Sequence, residues 1–288
     1  MSRPKGSLNR KTIERLASAG GEVFAKVPLG NTDEPIEEID KRIAKTFSVL
    51  DRLVHGVVKG TIKSLLIAGA HGCGKTHGVE SVMFEAQNAG AIELDIMKGS
   101  TSAIGLYIRL FNNRHNNCVL FLDDCDTFFY DLDALNLLKA ALDKGSRRII
   151  TWNKMNRTLE DMGIPTDFQF EGSVVFATNK NISQEVATGG KLAPHLLAML
   201  RRTHFIDLGI HTKREVFVRV QQVINNTNFL EANNIKPSEI DQILDWITKH
   251  IKDLLTLSVS TVLSCHEHML LDPIDWRMMS EVTLCRRS

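Results

Sequence analysis

The sequence contains no Cys-x-x-Cys pair, no apolar run of the roughly 18 residues that would suggest a membrane span, no internal repeat and no long low-complexity segment. Its five cysteines, Cys73, Cys118, Cys125, Cys265 and Cys285, are odd in number and irregularly spaced. Neither a zinc site nor a disulfide framework is therefore expected. With no secretory signal either, the expectation is a reduced, soluble protein of the cytoplasm with no membrane partner. An excess of one charge is also missing, since 35 Lys and Arg face 34 Asp and Glu for a formal net charge of +1. That balance argues against a dedicated polyanion coat but leaves local patches open. What is present is ordinary: 43% hydrophobic and 24% charged residues over 288 positions exclude a disordered or fibrous chain and allow one large domain or two modest ones.

The charges are unevenly spread. Arg3, Lys5, Arg10, Lys11 and Arg15 face Glu14 alone, so residues 1–34 read as a flexible basic tail. Within it, Arg3-Pro4-Lys5-Gly6 resembles the core of an AT-hook, an element that enters the DNA minor groove. A solvated terminus with incidental charge is the alternative. Acids gather instead in the stretches 33–40 and 123–133.

Ile36, Ile39, Ile43, Phe47, Leu50 and Val54 recur at helical spacing. The short apolar runs 64–68, 91–97, 118–122, 148–152 and 173–177 then read as strands, with 205–208 as a short edge. Helical patterns at 76–89, 102–112, 132–143 and 194–201 alternate with them, which implies an α/β sheet with right-handed crossovers. After about residue 212 only helical periods remain, at 216–224, 240–247, 258–270 and 276–284. The expected organisation is a tail (1–34), an α/β nucleotide-binding core (35–211) with a β-hairpin insertion (145–172), and an all-helical lid (212–288).

Gly69-Ala70-His71-Gly72-Cys73-Gly74-Lys75-Thr76 satisfies G-x-x-x-x-G-K-[ST] between a strand and a helix. Glycines let such a backbone curl and turn its N–H groups on an anion, with the helix N-terminus behind them. Binding of ATP is expected along residues 69–77, ending at His77, with Lys75 on the β- and γ-phosphates and the Thr76 hydroxyl on Mg²⁺. Val119-Leu120-Phe121-Leu122-Asp123-Asp124 is an apolar strand that ends in two carboxylates, a Walker B pattern. Asp123 would hold Mg²⁺ at the carboxyl edge of the sheet and Asp124 would polarise the attacking water. Asp126 reads as a helix N-cap.

Together with Ser173-Val174-Val175-Phe176-Ala177-Thr178-Asn179, these motifs resemble an AAA+ ATPase. The resemblance covers roughly residues 36–285 and implies an α/β P-loop NTPase (AAA+) fold, a parallel-sheet core with a C-terminal all-helical lid, and ATP between the two. By resemblance Asn179 is sensor 1, which places the water. The segment Leu192-Ala193-Pro194-His195-Leu196-Leu197-Ala198-Met199-Leu200-Arg201-Arg202 is similar to the one that carries the arginine finger. Arg202, with Arg201 in reserve, would act on a neighbouring subunit, so a ring or spiral homo-oligomer is implied. The alternative is a surface arginine pair at a helix C-terminus. Two positions depart from the family pattern. Asp124 stands where Glu is usual, one methylene shorter, and Ser260 or Thr261 stands where the lid usually brings an Arg to the nucleotide. The order of pieces, with Ile39-Asp40-Lys41-Arg42, Gly105-Leu106-Tyr107 and Asn136-Leu137-Leu138-Lys139, also resembles small stand-alone ATPases of bacteriophages, which would place it in the host cytoplasm.

In the insertion, Asn153-Lys154-Met155-Asn156-Arg157 is polar and basic. Lys154 and Arg157 would grip a nucleic-acid backbone, while Arg147 and Arg148 would instead serve a subunit interface; a solvated loop is the alternative. The aromatic-hydrophobic-Gly loop of protein-unfolding motors is absent, since Lys98-Gly99-Ser100-Thr101-Ser102 holds no aromatic. His266 and His268, two apart on a helix, face different ways and do not suggest a metal site. The expected function is an ATP-hydrolysing motor or loader in DNA replication, recombination or repair, with a replication or recombination protein as partner. The alternatives are an ATP-driven protein-remodelling chaperone and a nucleotide-dependent scaffold with weak hydrolysis.

Overall fold

A computed structural model describes residues 34–145 and 147–286, so the basic tail and its AT-hook-like tetrapeptide lie outside the described residues. Helix α1 (Ile36–Val58) opens the described chain, and the spacing of Ile39, Ile43, Leu50, Val54 and Val57 gives it one buried stripe. Strand β1 (Ser64–Ala68) follows, then α2 (Lys75–Asn88), β2 (Glu93–Lys98), α3 (Ala103–Asn112), β3 (Cys118–Asp123) and α4 (Leu132–Ala141). Next come β4 (Ile149–Thr151), α5 (Arg157–Asp161), β5 (Asp167–Gln169), β6 (Ser173–Thr178), α6 (Ile182–Thr188), α7 (Ala193–Arg202) and β7 (His204–Asp207). Helices α8 (Lys213–Asn226), α9 (Phe229–Ala232), α10 (Pro237–His250), α11 (Val259–Leu271) and α12 (Trp276–Leu284) complete it.

The described residues fall into two compact units, 49–68 with 78–207, and 34–48 with 69–77 and 208–286. The first holds a five-stranded sheet in the order β2-β3-β6-β1-β7, parallel throughout. Strands β1, β3 and β6 are buried at every residue, as their unbroken apolar runs require when both faces are covered. Leu66, Leu120, Leu122, Phe129, Leu138 and Phe176 lie at the centre of the core. The register pairs Asp123 with Ala177 and Ala68 with Thr178, so the carboxyl ends of β3, β6 and β1 finish level. That is the edge at which open α/β sheets take ligands. The expected α/β parallel core followed by helices is thus the fold the chain adopts.

The 148–152 run, read both as a strand of the sheet and as part of the β-hairpin insertion at 145–172, does not join the parallel sheet. Strand β4 pairs antiparallel with β5 in a separate two-stranded ribbon, and α5 lies in the chain between them. The ribbon packs on α3 through aromatic rings. Phe168 meets Tyr107 at 5.2 Å and Phe111 at 5.3 Å, edge to face, and Trp152 lies 5.9 Å from Tyr107.

In the second unit, Thr212 and Glu215 form a capping box that starts α8. Glu215 also accepts a hydrogen bond from Arg42 Nη2 at 2.7 Å, and Arg42 Nη1 donates to Gly209 O at 2.9 Å, which ties the first half of α1 to the start of α8. Trp246 of α10 and Trp276 of α12 pack with ring centres 6.3 Å apart. No helix among the described residues is long and apolar enough to cross a membrane.

Burial works against the charge of Glu215, but the His211 and Thr212 N–H groups, Arg42 and the Thr212 hydroxyl bring its carboxyl below the usual range. A carboxylate with a lowered folded-state pKa stabilises the protein above its unfolded value, near ~4.3, and that stability is lost as pH falls through the folded value. Glu215→Gln is expected to cost about 2–3 kcal/mol at neutral pH in urea denaturation. The gap between the variant and the natural protein should narrow as the pH is lowered through the carboxylate range, and a gap independent of pH would contradict this.

Candidate active site

Residues 69–76 join β1 to α2. Gly72 and Gly74 have φ of 68° and 80°, the left-handed region that a side chain resists. Gly72 has a second reason to be glycine, because a Cβ there would stand 2.2 Å from Ser258 Cβ, just before α11. A Cβ on Gly69 would stand 2.8 Å from Leu208 Cδ1. The loop is thus held close against 208–286 by backbone contact that only glycine permits. The first turn of α2 carries no acid, so its positive dipole end is not neutralised by its own side chains. Lys75 is buried at 5% exposure, and Thr76 is half-buried. The Cys73 thiol is fully buried and burial pushes its pKa up, so it is neutral at physiological pH.

Arg219 of α8 completes this wall. Its Nε donates to Cys73 O at 3.1 Å, and its guanidinium lies 3.4 Å over the Phe47 ring. Nothing in the sequence pattern singled it out. The one available signal was a cation between Val218 and Val220, both buried on that helix.

The other unit carries the acids. Asp123 ends β3 at 3% exposure, and the next residue, Asp124, has φ of 53°. Aspartate is among the few non-glycine residues that tolerate this conformation. The Asp124 N–H donates to Ala177 O at 3.3 Å. Asn179 Nδ2 donates to Asp124 Oδ1, so the strand-end amide and the second carboxylate stand in direct contact. Lys98, paired with Asp123 in the β2–β3 register, sits with its ammonium 3.8 Å from Asp123 Oδ2 and 2.7 Å from Glu80 Oε1. The Glu80 hydrogen bond, aided by Asp123 and Asp124, holds that ammonium above its usual range. Asp126 does not cap a helix through its side chain as expected; it accepts a hydrogen bond from Thr178 Oγ1 at 2.6 Å. The nearby Cys125 thiol is pushed up to about 12, by burial and then by Asp123, Asp124 and Asp126.

The remaining expected residues lie elsewhere. Arg202 ends α7 with Nη1 donating back to Ala198 O at 2.9 Å, and its charge helps lower the pKa of Lys139, whose own burial is the larger cause. Lys154 forms an ion pair with Asp133 and rests 5.7 Å from the Trp152 ring centre. Arg157 is 91% exposed, 3.8 Å from Asp161. Arg148, read as a surface cation for a subunit interface, is instead taken up inside its own chain. It is buried, donates to Ala141 O at 2.8 Å and Gly172 O at 2.5 Å, and anchors the base of the ribbon. At the start of α11, Ser258 rather than Ser260 or Thr261 meets the loop; the Thr261 hydroxyl accepts from Ser258 N at 3.1 Å.

A family model described as the ATPase family associated with various cellular activities (AAA) matches residues 65–188. The chain is 39% identical over 250 residues to an uncharacterised 36.7 kDa protein from the nrdC–mobD intergenic region of Enterobacteria phage T4, covering 87% of this chain and 77% of that protein. Among solved structures, a variant of Thermotoga maritima RuvB is 14% identical with a TM-score of 0.46, spanning 86% of this chain and 70% of that one. The replication initiator DnaA bound to AMPPCP and single-stranded DNA is 15% identical with a TM-score of 0.46, spanning 81% of this chain and 65% of that one.

Gly72→Ala is expected to destabilise by about 1–3 kcal/mol, because the new methyl meets Ser258 at a positive φ. Ser258→Gly should recover part of that loss in the double variant, read as a coupling of about 1 kcal/mol in a double-mutant cycle. Strict additivity would show that the two residues do not meet.

Proposed function

The chain belongs to the AAA family of ATPases, and on that premise we propose that it binds ATP with Mg²⁺ at residues 69–77 and hydrolyses it. The observation that carries this reading is the loop itself, with left-handed glycines at 72 and 74 leading straight into α2 and its buried Lys75. Backbone N–H groups and the helix dipole favour phosphate there, and Lys75 adds a full positive charge. Thr76 and Asp123 are the residues that would hold Mg²⁺, whose chemistry is to neutralise charge on the phosphate oxygens.

Asp124 acts as the base that polarises the attacking water, and Asn179, bonded to it, fixes its carboxylate and helps place the water. Arg202 is offered to a neighbouring copy, so turnover depends on assembly into a ring or spiral. We assign the energy of the cycle to DNA replication, recombination or repair in the cytoplasm of a phage host. Arg157, largely exposed at the ribbon, and Lys154 beside it supply the phosphate contacts, with a replication or recombination protein as a further partner. One observation favours the chaperone reading instead: Met155, between those two cations, is 97% exposed and suits an apolar polypeptide better than a phosphate.

Steady-state ATP hydrolysis tests these roles. Lys75→Ala should abolish turnover, and Asp124→Asn should lower it by about 10²–10⁴-fold while nucleotide still binds. Retained turnover in Lys75→Ala would overturn the ATPase assignment. Single- or double-stranded DNA should raise the rate of the natural protein, and Lys154→Ala/Arg157→Ala should remove that rise. A rate indifferent to DNA would leave the polypeptide reading in its place.

A further inference from the structure

A cleft of about 240 Å³ lies beside the ribbon, between α4 and the chain that leaves β4. Helix α4 is tied to the ribbon at both ends of this stretch. Arg148 Nη1 donates to Ala141 O at 2.8 Å at one end, and Lys154 pairs with Asp133 at the other. Asp133, Asn136, Leu137 and Ala140 fall at i, i+3, i+4 and i+7, so one face of α4 forms a wall. Thr151, Trp152, Asn153 and Lys154 supply the rest of the lining.

Trp152 is the odd member. It is 8% exposed, its backbone N–H donates to Thr166 O at 2.7 Å, and the Tyr107 ring centre lies 5.9 Å from its own. Its indole Nε1 is buried and meets no acceptor among the described residues. A buried donor left unpaired costs stability and calls for an explanation, and this one belongs to a residue that lines a cleft. The other polar groups of the lining are of three kinds. Asn136, Thr151 and Asn153 are exposed, and each both donates and accepts. Asp133 accepts only, with lone pairs to spare beyond its ion pair. Lys154 is the one cation of the lining, and Asp133 already neutralises it.

A free phosphate finds no spare positive charge here, and an aliphatic side chain would cover the carboxamides without pairing them. A flat heterocycle with hydrogen-bonding edges answers both. Leu137, Ala140 and the indole offer apolar surface to its faces. The carboxamides match a donor–acceptor edge as asparagine meets adenine, and Asp133 accepts from an exocyclic amino group. The volume falls below the roughly 300–1,000 Å³ of pockets for drug-sized ligands, so it has room for one such ring. We propose that this cleft takes a single unpaired, amino-bearing base, adenine or cytosine, of a single-stranded nucleic acid; this rests on reading the ribbon as the nucleic-acid contact. Arg157, 91% exposed, serves the phosphate backbone outside the cleft. A base inside a duplex has its amino edge paired and its faces stacked, so a duplex must open before it can enter.

Fluorescence anisotropy of the full chain with labelled oligo(dA), oligo(dC), oligo(dT) and a mixed-sequence duplex tests this. The natural protein should bind oligo(dA) and oligo(dC) more tightly than oligo(dT) or the duplex. Asn136 is an exposed helix residue, so Asn136→Ala keeps the fold. It should weaken oligo(dA) and oligo(dC) by about 5–150-fold, the range for a lost bidentate base contact, and leave oligo(dT) nearly unchanged. Trp152→Phe, which keeps a ring and removes the N–H, should act in the same direction, with circular dichroism melts showing the variant folded. Equal binding of the three single strands, or an Asn136→Ala loss shared by oligo(dT), would overturn the assignment. If single strands bind, Lys154→Ala/Arg157→Ala abolishes that binding and Asn136→Ala changes nothing, the ribbon reading stands and the base cleft fails. If no nucleic acid binds at all, both fall. Weaker binding of a labelled unfolded polypeptide by Asn136→Ala would then give the cleft to a peptide.

Discussion

Gly72 carries no side chain because the space beyond its Cα belongs to Ser258. The left-handed turns at 72 and 74 would be only one of many conformations of an isolated glycine-rich segment, and fixing them costs about 1–2 kcal/mol per residue in backbone entropy. What holds them is close contact from distant parts of the chain. Leu208 sits against Gly69, Ser258 against Gly72, and Arg219 is bonded to Cys73 O. The first half of α1 is drawn into the same unit, through Arg42 on Glu215, Asp40 on Gln222 and Phe47 on Arg219. The anion cradle is therefore a property of this whole unit rather than of eight residues.

The acidic edge depends on a different constraint, the register of the sheet. Level strand ends bring Lys98, Asp123 and Asn179 to one edge, and the left-handed Asp124 turns its carboxylate to the Asn179 amide. The conformation also gives a physical reason for aspartate where related ATPases usually have glutamate. Aspartate is among the few non-glycine residues found at a positive φ, and glutamate is not.

Much of this was legible in the sequence, for reasons that differ by element. Runs such as Val119–Leu122 and Val174–Ala177 announce doubly buried strands because apolar side chains on both faces have no other use. The phosphate loop is legible because its chemistry demands glycines, a lysine and a hydroxyl at fixed spacing. The burial of Arg148 was not legible because charge suggests surface, whereas its guanidinium bonds two carbonyls and lies over the Phe170 ring. The 148–152 run read equally as a sheet strand and as one side of a hairpin insertion, because apolar alternation says nothing about which partner a strand takes. Ser258 and Arg219 were out of reach for one shared reason: each matters through contact with a loop about 150 residues or more earlier, and no local pattern records that.

The dependence of the cradle on its surrounding helices can be measured by hydrogen exchange with and without ADP and Mg²⁺. Protection should rise not only in residues 69–77 but also in the first turns of α8 and α11, which hold the loop through Arg219 and Ser258. Protection confined to 69–77, with α8 and α11 exchanging as before, would contradict the claim that the loop and those helices form one nucleotide-responsive unit.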